Sequence, residues 1–292
     1  DICVVTGYRH ELVEEYVSKL SCNLETVIQK ERKGTGHAVM TALSFLEKHA
    51  GGDALILGGD APFVDKKTIT KAYKAHKNSN NSATIISSRL ENPVGYGRIV
   101  RDSDDYNVKA IVEESDASFG QRSIKEINSG AYWFKVDDLI KYLSLITNDT
   151  FQGEYYLTSI IKLMIDAGLR VDAFETSSCN VALGANDVCQ LQHLNDIARN
   201  KVIDGMMENG VKIPCRDGVI IGKWVEVGSG TTILPGTILS GKTTIGKECI
   251  IGPNSQIVDS IVGDSAVVNQ SYCKKVNIKS GEEIGPFASL KS

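Results

Sequence analysis

An aspartate placed directly after a buried strand is the residue most able to do chemistry. The apolar run 54–57 predicts a strand, and Asp60 follows it after Gly58 and Gly59. In open α/β sheets, ligands bind along the carboxyl edge of the strands. A carboxylate at that edge can hold Mg²⁺, which would bridge phosphate groups. The alternative is that Asp60 caps a turn before Pro62, a common place for Asp.

Other polar positions could bind a ligand through backbone and amide groups. Residues 34–36 (Gly-Thr-Gly) precede a helix that we expect to begin near His37. Small residues there let backbone N–H groups approach a ligand closely, although Gly-x-Gly alone predicts only a turn. Glu113 and Asn128 offer a carboxylate and an amide for directional hydrogen bonds. For each of them, taken alone, the alternative is a solvated surface position.

The hydrophobic pattern predicts the elements that position these residues. From Ile2 to about residue 175, strand-like and helix-like segments alternate, which predicts a mostly parallel sheet with helices on both faces. Between Gly97 and Phe134 the pattern becomes strand-rich, so we expect a mixed sheet. Residues 187–208 repeat apolar side chains at near-helical intervals and predict one long helix.

Beyond that helix the apolar period changes to six. The unbroken series is Ile221, Val227, Ile233, Leu239, Ile245, Ile251 and Ile257. After a phase shift it resumes at Val262 and Val268, and then at Ile278, Ile284 and Leu290. Hexapeptide repeats are typical of a parallel β-helix, in which each coil stacks aliphatic side chains on the next.

Length, charge and cysteine usage limit the class of protein. A chain of 292 residues can bury a large core and is expected to hold two domains. A net charge of -4 gives no electrostatic reason to expect nucleic acid or an anionic membrane as partner. The first residues read as a strand rather than a signal peptide. Seven scattered cysteines without a Cys-x-x-Cys pair favour a reducing cytoplasm over zinc or disulfides.

Taken in order, the short motifs resemble a known family. The motifs are Gln29 with 34–38 (Gly-Thr-Gly-His-Ala), 59–62 (Gly-Asp-Ala-Pro), 95–98 (Gly-Tyr-Gly-Arg), Glu113, 126–130 (Glu-Ile-Asn-Ser-Gly) and 153–158 (Gly-Glu-Tyr-Tyr-Leu-Thr). They resemble the sugar-1-phosphate nucleotidyltransferases, and most closely the bacterial N-acetylglucosamine-1-phosphate uridyltransferases. The resemblance covers nearly the whole chain, including the six-residue repeat.

The resemblance implies an α/β fold and a division of the chain. Residues 1–186 would form a Rossmann-like nucleotidyltransferase domain with a mixed, mostly parallel sheet. Residues 187–210 would be a connecting helix, and 211–292 a left-handed parallel β-helix of hexapeptide repeats. In this family such β-helices commonly pack as trimers, so we expect a homotrimer.

The resemblance also implies roles for individual residues. Asp60 and Asn186 would hold Mg²⁺, while an N-cap is the alternative for Asn186 beside Asp187. The implied nucleotide-binding residues are Gln29, Gly34 and Thr35. The implied sugar-binding residues are Gly95, Glu113, Asn128, Tyr156 and Thr158.

The implied activity is the formation of UDP-N-acetylglucosamine and pyrophosphate from UTP and N-acetylglucosamine-1-phosphate, for cell-wall precursor synthesis. The enzyme would position its substrates and neutralise charge, without a covalent intermediate. We expect no nucleic-acid partner and no integral membrane association. Gly58, Ser115 and Ser159 stand where relatives usually carry tyrosine, lysine and aspartate. These departures leave open another sugar or base specificity, and a non-catalytic trimeric nucleotide-sugar-binding module is a further alternative.

Two features of the family have no counterpart in the sequence. A glycine-rich loop ending in Gly-Thr-Arg does not precede Asp1, so we expect the 292 residues alone to show little pyrophosphorylase turnover. All five histidines lie at or before His193, which leaves the β-helix without the histidine base of the bifunctional relatives. We therefore expect no acetyltransferase activity.

Overall fold

The computed structural model describes residues 1–102, 106–148, 153–185 and 187–292. Two compact units make up the chain, Asp1–Ala185 and Asn186–Ser292. In the first unit the strands are β1 (Ile2–Thr6), β2 (Leu24–Ile28), β3 (Asp53–Ile56), β4 (Ala83–Arg89), β5 (Arg98–Arg101), β6 (Val108–Val112), β7 (Glu126–Lys135) and β8 (Val171–Thr176). Its helices are α1 (His10–Val17), α2 (Thr35–Thr41), α3 (Leu43–Glu47), α4 (Lys66–Asn78), α5 (Phe119–Arg122), α6 (Val136–Leu143) and α7 (Thr158–Asp166), with a short 3₁₀ helix at Cys179–Ala182.

The main sheet of the first unit is mixed, as the sequence predicts. Its strands follow the order β6-β5-β7-β4-β8. Strand β3 also pairs with β7, on the edge opposite β4 and in the part of β7 that follows its pairing with β5. Strand β7 runs antiparallel to β3, β4 and β5, whereas β4 and β8 are parallel. The described pairings of this sheet are mostly antiparallel, and not mostly parallel as the alternating pattern predicts. The reason is that β7 runs opposite to its three neighbours, and β5 and β6 form a hairpin-like pair without a crossover helix.

Helices cover both faces of the main sheet. Adjacent residues of β4 point to opposite faces, as the period of two in a strand requires. Ile85 packs into the larger core cluster with residues of α6 and α7, and Ile86 packs with Ala72 of α4. Both isoleucines are fully buried, so both faces of β4 are covered at this point of the strand.

A separate parallel pair is formed by β1 and β2. Their register pairs Ile2 with Leu24 and Thr6 with Ile28. The two strands therefore end at the same edge, and Gln29 follows β2 directly, with its backbone N–H bound to the Thr6 carbonyl at 2.7 Å. This arrangement fixes where the loop before α2 begins.

One long helix begins the second unit. Helix α8 spans Val188–Glu208, and the Asp187 carboxylate caps it by accepting a hydrogen bond from the Gln190 N–H at 2.7 Å. The N-cap of this helix is therefore Asp187, a residue type that is favoured at that position. Ile203 of α8 is fully buried in the apolar core of this unit.

Short parallel strands form the three-sided β-helix after α8. The strands are β9 (Ile220–Ile221), β10 (Glu226–Val227), β11 (Thr232–Ile233), β12 (Ile238–Ser240), β13 (Thr244–Ile245), β14 (Ile250–Ile251), β15 (Gln256–Val258), β16 (Ile261–Val262), β17 (Val267–Val268), β18 (Tyr272–Lys274), β19 (Asn277–Ile278), β20 (Glu283–Ile284) and β21 (Ser289–Lys291). They form three parallel sheets, β10-β13-β16-β19, β11-β14-β17-β20 and β9-β12-β15-β18-β21. The predicted fold class, an α/β nucleotidyltransferase domain followed by a hexapeptide β-helix, is confirmed.

The register explains the phase shift in the repeat. Val227 pairs with Ile245, Ile245 with Val262, and Val262 with Ile278, so the successive spacings along this sheet are 18, 17 and 16 residues. Cys273 takes the inward place between Ile257 and Leu290 and is fully buried. The hexapeptide count misses this position because it follows only aliphatic side chains.

Across the described part of the chain, the helices are too short or too polar to cross a bilayer. Even the longest, α8, carries charged side chains at several positions along its length. The structure thus offers no transmembrane helix within these residues.

Candidate active site

Strand directions bring several predicted site residues to one edge of the main sheet. Strand β3 is antiparallel to β7, and Ile56 at its carboxyl end pairs with Tyr132. The amino-terminal part of β7, which includes Asn128, therefore lies at the same edge as the loop that follows β3 and carries Asp60. Ligands of such sheets bind at this kind of edge.

Asp60 lies in the exposed loop after β3, where its carboxylate is accessible. A Cβ atom at Gly58 would lie 2.7 Å from Asp60 Oδ1, so the carboxylate occupies the space that a side chain at position 58 would enter. The Asp60 carbonyl accepts a hydrogen bond from the Ala185 N–H at 3.2 Å, and Gly184 packs next to the same aspartate. The loop after β3 is thus tied to residues 184–185 by its backbone.

The second predicted metal ligand, Asn186, lies outside the described residues. Among those that are described, no group of three or more His, Cys, Asp or Glu side chains is arranged to hold a metal ion. Mg²⁺, however, binds in many enzymes through one or two carboxylates together with water and substrate phosphates. An accessible single carboxylate such as Asp60 fits a cation of that kind better than it fits zinc.

The predicted nucleotide residue Gln29 has a fixed side-chain amide. Its Nε2 atom donates to the Gly34 carbonyl at 3.1 Å and lies 3.0 Å from His37 Nδ1, which must act as acceptor. Both amide hydrogens are used in this way, so the Gln29 carbonyl oxygen is left to accept a hydrogen bond from a ligand. His37 therefore orients Gln29, a role for which the sequence gives no signal.

The Gly-Thr-Gly segment is packed against the backbone of residues 155–157. The Tyr155 N–H donates to the Lys33 carbonyl at 2.8 Å, and the Gly36 N–H donates to the Tyr155 carbonyl at 2.7 Å. A Cβ atom at Gly34 would lie 2.7 Å from that carbonyl, and Gly34 has a φ of 98°. Glycine is required here for close backbone approach as well as for its conformation. Helix α2 starts at Thr35, two residues before the predicted start.

Thr35 connects this segment to the predicted sugar residues. Its hydroxyl accepts a hydrogen bond from the Leu157 N–H at 3.0 Å. The next residue, Thr158, donates from its own hydroxyl to Glu113 Oε1 at 3.2 Å. Tyr156, between Tyr155 and Leu157, is half-buried in the same segment. The predicted nucleotide and sugar residues therefore meet through one short stretch of chain.

Four of the predicted sugar residues belong to one contact cluster around Gly97. A Cβ atom at Gly97 would lie 3.1 Å from Glu113 Oε2, a tight contact, so a larger residue would require the carboxylate to shift by a few tenths of an ångström. The Gly97 carbonyl accepts the Asn128 N–H at 2.8 Å. Glu113 in turn holds Thr158, and Gly95 lies two residues before Gly97 in the same loop.

A buried arginine supports the loop that contains Gly95. Arg98 is 1% exposed; it donates to Glu114 Oε2 at 2.7 Å and also bonds the Tyr96 carbonyl. The same Glu114 oxygen accepts the Gly95 N–H at 3.2 Å. The sequence motif includes Arg98 but does not show that it acts through Glu114, since that contact joins two strands.

Glu113 has a perturbed titration because of its surroundings. Burial raises the pKa of its carboxyl above the ordinary value, and the hydrogen bond from Thr158 acts in the opposite direction. A partly buried carboxylate next to a hydroxyl is suited to accept hydrogen bonds from a polyhydroxylated ligand. The Ser115 hydroxyl donates to Asp116 Oδ1 at 3.2 Å.

Two cavities of the first unit lie away from these residues. The larger, about 270 Å³, is lined by Gly51, Gly52, Asp53 and nearby lysines and aspartates at the amino end of β3. The smaller, about 160 Å³, lies beside Asp1 and His49. The predicted site residues do not line either cavity; they lie on loops at the carboxyl edge of the sheet.

Comparisons with known proteins agree on the family. A family model described as nucleotidyl transferase matches residues 1–235. The bifunctional protein GlmU of Caldanaerobacter subterraneus subsp. tengcongensis is 42% identical over 291 residues, which is 100% of this chain and 62% of the relative. The GlmU proteins of Thermoanaerobacter pseudethanolicus and Clostridioides difficile are 41% and 36% identical over the same shares. The chain thus spans 62% of the length of these relatives.

A solved structure supports the fold. The crystal structure of UDP-glucose pyrophosphorylase complexed with UDP-glucose matches with a TM-score of 0.54 and 15% sequence identity. The match covers 69% of this chain and 81% of that chain. At this identity the likeness shows a shared fold.

Proposed function

Because the chain belongs to the nucleotidyl transferase family, we propose that it takes part in the uridyltransferase reaction, which forms UDP-N-acetylglucosamine and pyrophosphate from UTP and N-acetylglucosamine-1-phosphate. The similarity to GlmU proteins over the whole of this chain supports that choice of reaction. In the proposed reaction a phosphate oxygen of the sugar phosphate attacks the α-phosphorus of UTP, and pyrophosphate leaves.

The observation that carries the proposal is the contact between the two predicted substrate loops. Thr35 in the nucleotide loop bonds Leu157, and Thr158 bonds Glu113 in the sugar cluster. A transferase must hold two substrates close together and in line, since positioning supplies much of the rate acceleration. Adjacent loops for a nucleotide and a sugar phosphate fit that requirement.

Individual side chains have suitable groups for these substrates. The free carbonyl oxygen of Gln29 would accept the N3–H of uracil, which cytosine lacks. Glu113 would accept hydrogen bonds from sugar hydroxyls, and Asn128 would donate to a sugar oxygen. Gly34 and Gly95 would let the backbone approach the nucleotide and the sugar, and Tyr156 and Thr158 would complete the sugar contacts.

We propose that Asp60 and Asn186 hold a divalent cation, with Mg²⁺ as the expected ion. Bound between phosphate groups, such an ion neutralises charge that develops during phosphoryl-type transfer. The position of Asp60 after β3 supports the first ligand, and the sequence motif alone supports Asn186. Without the ion, Asp60 would repel the substrate phosphates.

The β-helix and the cysteines support two further proposals. We propose a homotrimer assembled through the β-helix, and a cytoplasmic role in cell-wall precursor synthesis. All seven cysteines are free thiols, which is compatible with a reducing compartment. Sedimentation of the purified protein would test the trimer.

The function is tested with a panel of substrates and products. Pyrophosphate release is measured for UTP or dTTP with N-acetylglucosamine-1-phosphate or glucose-1-phosphate, on the protein as isolated from its source and on the 292-residue chain. Calorimetry measures binding of UDP-N-acetylglucosamine and UDP-glucose. We expect UTP with N-acetylglucosamine-1-phosphate to react fastest. Faster reaction of glucose-1-phosphate would favour the alternative specificity, and binding without turnover in both preparations would favour a binding module.

A further inference from the structure

Two residues of β7 that should be far apart are hydrogen-bonded. Asn128 Nδ2 donates to the hydroxyl of Tyr132 at 2.6 Å, although the residues are four apart in one strand. In a regular strand, residues with that separation lie about 13 Å apart. A local distortion of β7 must therefore bring them together.

The distortion is a bulge at Ser129 and Gly130. In the pairing with β4, Ile86 lies opposite Ala131 while the next residue, Ser87, lies opposite Asn128, so two residues of β7 are left over. Gly130 has a φ of 77°, and the Ser129 hydroxyl bonds the Ile86 carbonyl at 2.6 Å. The bulge thereby shortens β7 and turns Asn128 toward Tyr132.

The contacts leave a single orientation for the Asn128 amide. Its Oδ1 atom accepts the Gly130 N–H at 3.1 Å, while one hydrogen of Nδ2 goes to Tyr132. Rotating the amide by 180° would face Nδ2 with the Gly130 N–H, which is also a donor. One Nδ2 hydrogen and one lone pair of Oδ1 then remain for a ligand.

Tyr132 is suited to hold this amide in place. The residue is 3% exposed and packs in the larger core of the first unit. Burial raises the pKa of its phenol, the bond from Asn128 lowers it, and the nearby carboxylate of Glu113 raises it. The hydroxyl is therefore neutral over the physiological range, and it contacts one of the proposed sugar-binding side chains, Asn128.

We propose that Tyr132 is a positioning residue for sugar recognition: its buried hydroxyl fixes the Asn128 amide so that the remaining Nδ2 hydrogen is aimed at an oxygen acceptor of the sugar. The inference rests on the proposed function, because it assumes that Asn128 contacts the sugar. It adds a specificity determinant that does not itself touch the ligand. Without the hydroxyl, the amide would be held only at Oδ1 by the Gly130 N–H. Nδ2 would then be less precisely fixed, and affinity for the sugar would fall.

The test compares Tyr132→Phe with a matched control, Tyr142→Phe. Both tyrosines are nearly buried in the same core, but Tyr142 lies on α6. Calorimetry on the full chain measures UDP-N-acetylglucosamine and UTP separately. We expect Tyr132→Phe to weaken the affinity for UDP-N-acetylglucosamine about tenfold and to change the affinity for UTP by less than about twofold. Tyr142→Phe should change neither affinity. Equal loss for both ligands, or no loss, would overturn the inference.

A double-variant cycle separates positioning from general loss of structure. In an Asn128→Ala background, Tyr132→Phe should have no further effect on sugar-nucleotide binding, because the amide that it orients is gone. A tenfold loss in both backgrounds would overturn the inference. In the wild type, the side-chain NH₂ signals of Asn128 in a ¹⁵N spectrum should be resolved and shift in Tyr132→Phe but not in Tyr142→Phe.

The result also distinguishes failure of the inference from failure of the proposed function. If the wild-type chain binds UDP-N-acetylglucosamine and Tyr132→Phe binds it equally well, the inference is wrong and the function stands. If neither UDP-N-acetylglucosamine nor N-acetylglucosamine-1-phosphate binds the wild type, while binding of UTP persists, the proposed sugar substrate is wrong and the inference falls with it.

Discussion

At the scale of single residues, the site is built from polar groups that are partly satisfied by the protein itself. Gln29 and Asn128 both use amide atoms for internal hydrogen bonds and keep one group for a ligand. Internal bonds of this kind reduce the rotamer freedom that a ligand would otherwise have to freeze. The entropy lost by fixing these side chains is lost during folding, so the side chains are already oriented when a substrate binds.

The first residue-scale prediction concerns Asp60. Changing Asp60→Asn removes the proposed anionic ligand of the cation but keeps the size of the side chain. We expect pyrophosphate release to fall at least about 100-fold, with the free energy of unfolding changed by less than about 0.5 kcal/mol because the residue is exposed.

The matched control for Asp60 is Asp166→Asn. Asp166 is also an exposed aspartate of the first unit, at the end of α7. Its substitution should leave turnover within about twofold, since no substrate contact is proposed for it. Equal activity of the Asp60 and Asp166 variants would contradict the metal-binding role.

The second residue-scale prediction concerns the pH dependence of Glu113. Its folded pKa is raised, mainly by burial, so Glu113 favours the folded state below its unfolded pKa, and that contribution is lost as pH rises through the folded pKa. We expect Glu113→Gln to gain stability relative to wild type as pH increases from about 4 to 7. Denaturant unfolding at several pH values measures the difference. A difference that does not change with pH would contradict a raised pKa.

At the scale of elements, close backbone packing decides the geometry of the loops and coils. The helix that the sequence predicts to begin near His37 is followed almost at once by a second one, since α2 and α3 are two short helices that meet at Ala42. Ala42 has a φ of -92° and a ψ of 12°, outside the helical range, and so the chain turns there. Helical spacing of apolar residues cannot show such a break, because both helices keep their apolar sides toward the core.

The element-scale prediction compares two glycines of the second unit. A Cβ atom at Gly228 would lie 2.6 Å from the backbone carbon of Gly246 in the next coil, whereas Gly205 in α8 has open space. We expect Gly228→Ala to destabilise the protein by about 1–3 kcal/mol through overpacking. Gly205→Ala should be neutral or stabilise it by about 0.5–1 kcal/mol, because alanine favours the helix.

Urea unfolding followed by circular dichroism measures both glycine variants. The comparison is internal, since each substitution adds the same methyl group to the same unit. If Gly228→Ala were as stable as Gly205→Ala, the close stacking of adjacent coils would be contradicted.

At the scale of the whole molecule, the chain consists of two units with separate cores. The first core surrounds Ile85 and Phe134, and the second surrounds Ile257 and the stacked aliphatic residues of the β-helix. The described residues of the proposed substrate site belong to the first unit. Because the two cores are separate, we expect each unit to unfold in its own cooperative transition.

The whole-molecule prediction uses one identical truncation in each core. Ile85 and Ile257 are both fully buried, so Ile85→Ala and Ile257→Ala remove the same atoms. Each substitution should lower the free energy of unfolding of its own unit by about 2–5 kcal/mol. We expect calorimetry to show two transitions, with each variant lowering a different one. A single transition that both variants shift equally would contradict two independently folding units.

The sequence alone determined the class of the fold and most candidate residues. The six-residue period fixes a β-helix, because every coil must place an apolar side chain inside, and strand and helix spacing fix the α/β character of the first unit. The nucleotide and sugar motifs were also predictable from their order, including Asp60 and Glu113. Their roles remain predictions, and Asn186 lies outside the described residues.

Only the tertiary structure decided how the motifs meet. The Thr35–Leu157 bond joins residues 122 positions apart, and no local period records such a contact. The Asn128–Tyr132 bond depends on a bulge whose register is set by pairing with β4. Likewise, Cys273 enters the β-helix core because its neighbouring coils are aligned on either side of it. Periodicity reports which face a residue occupies, whereas its partners depend on how distant segments are packed.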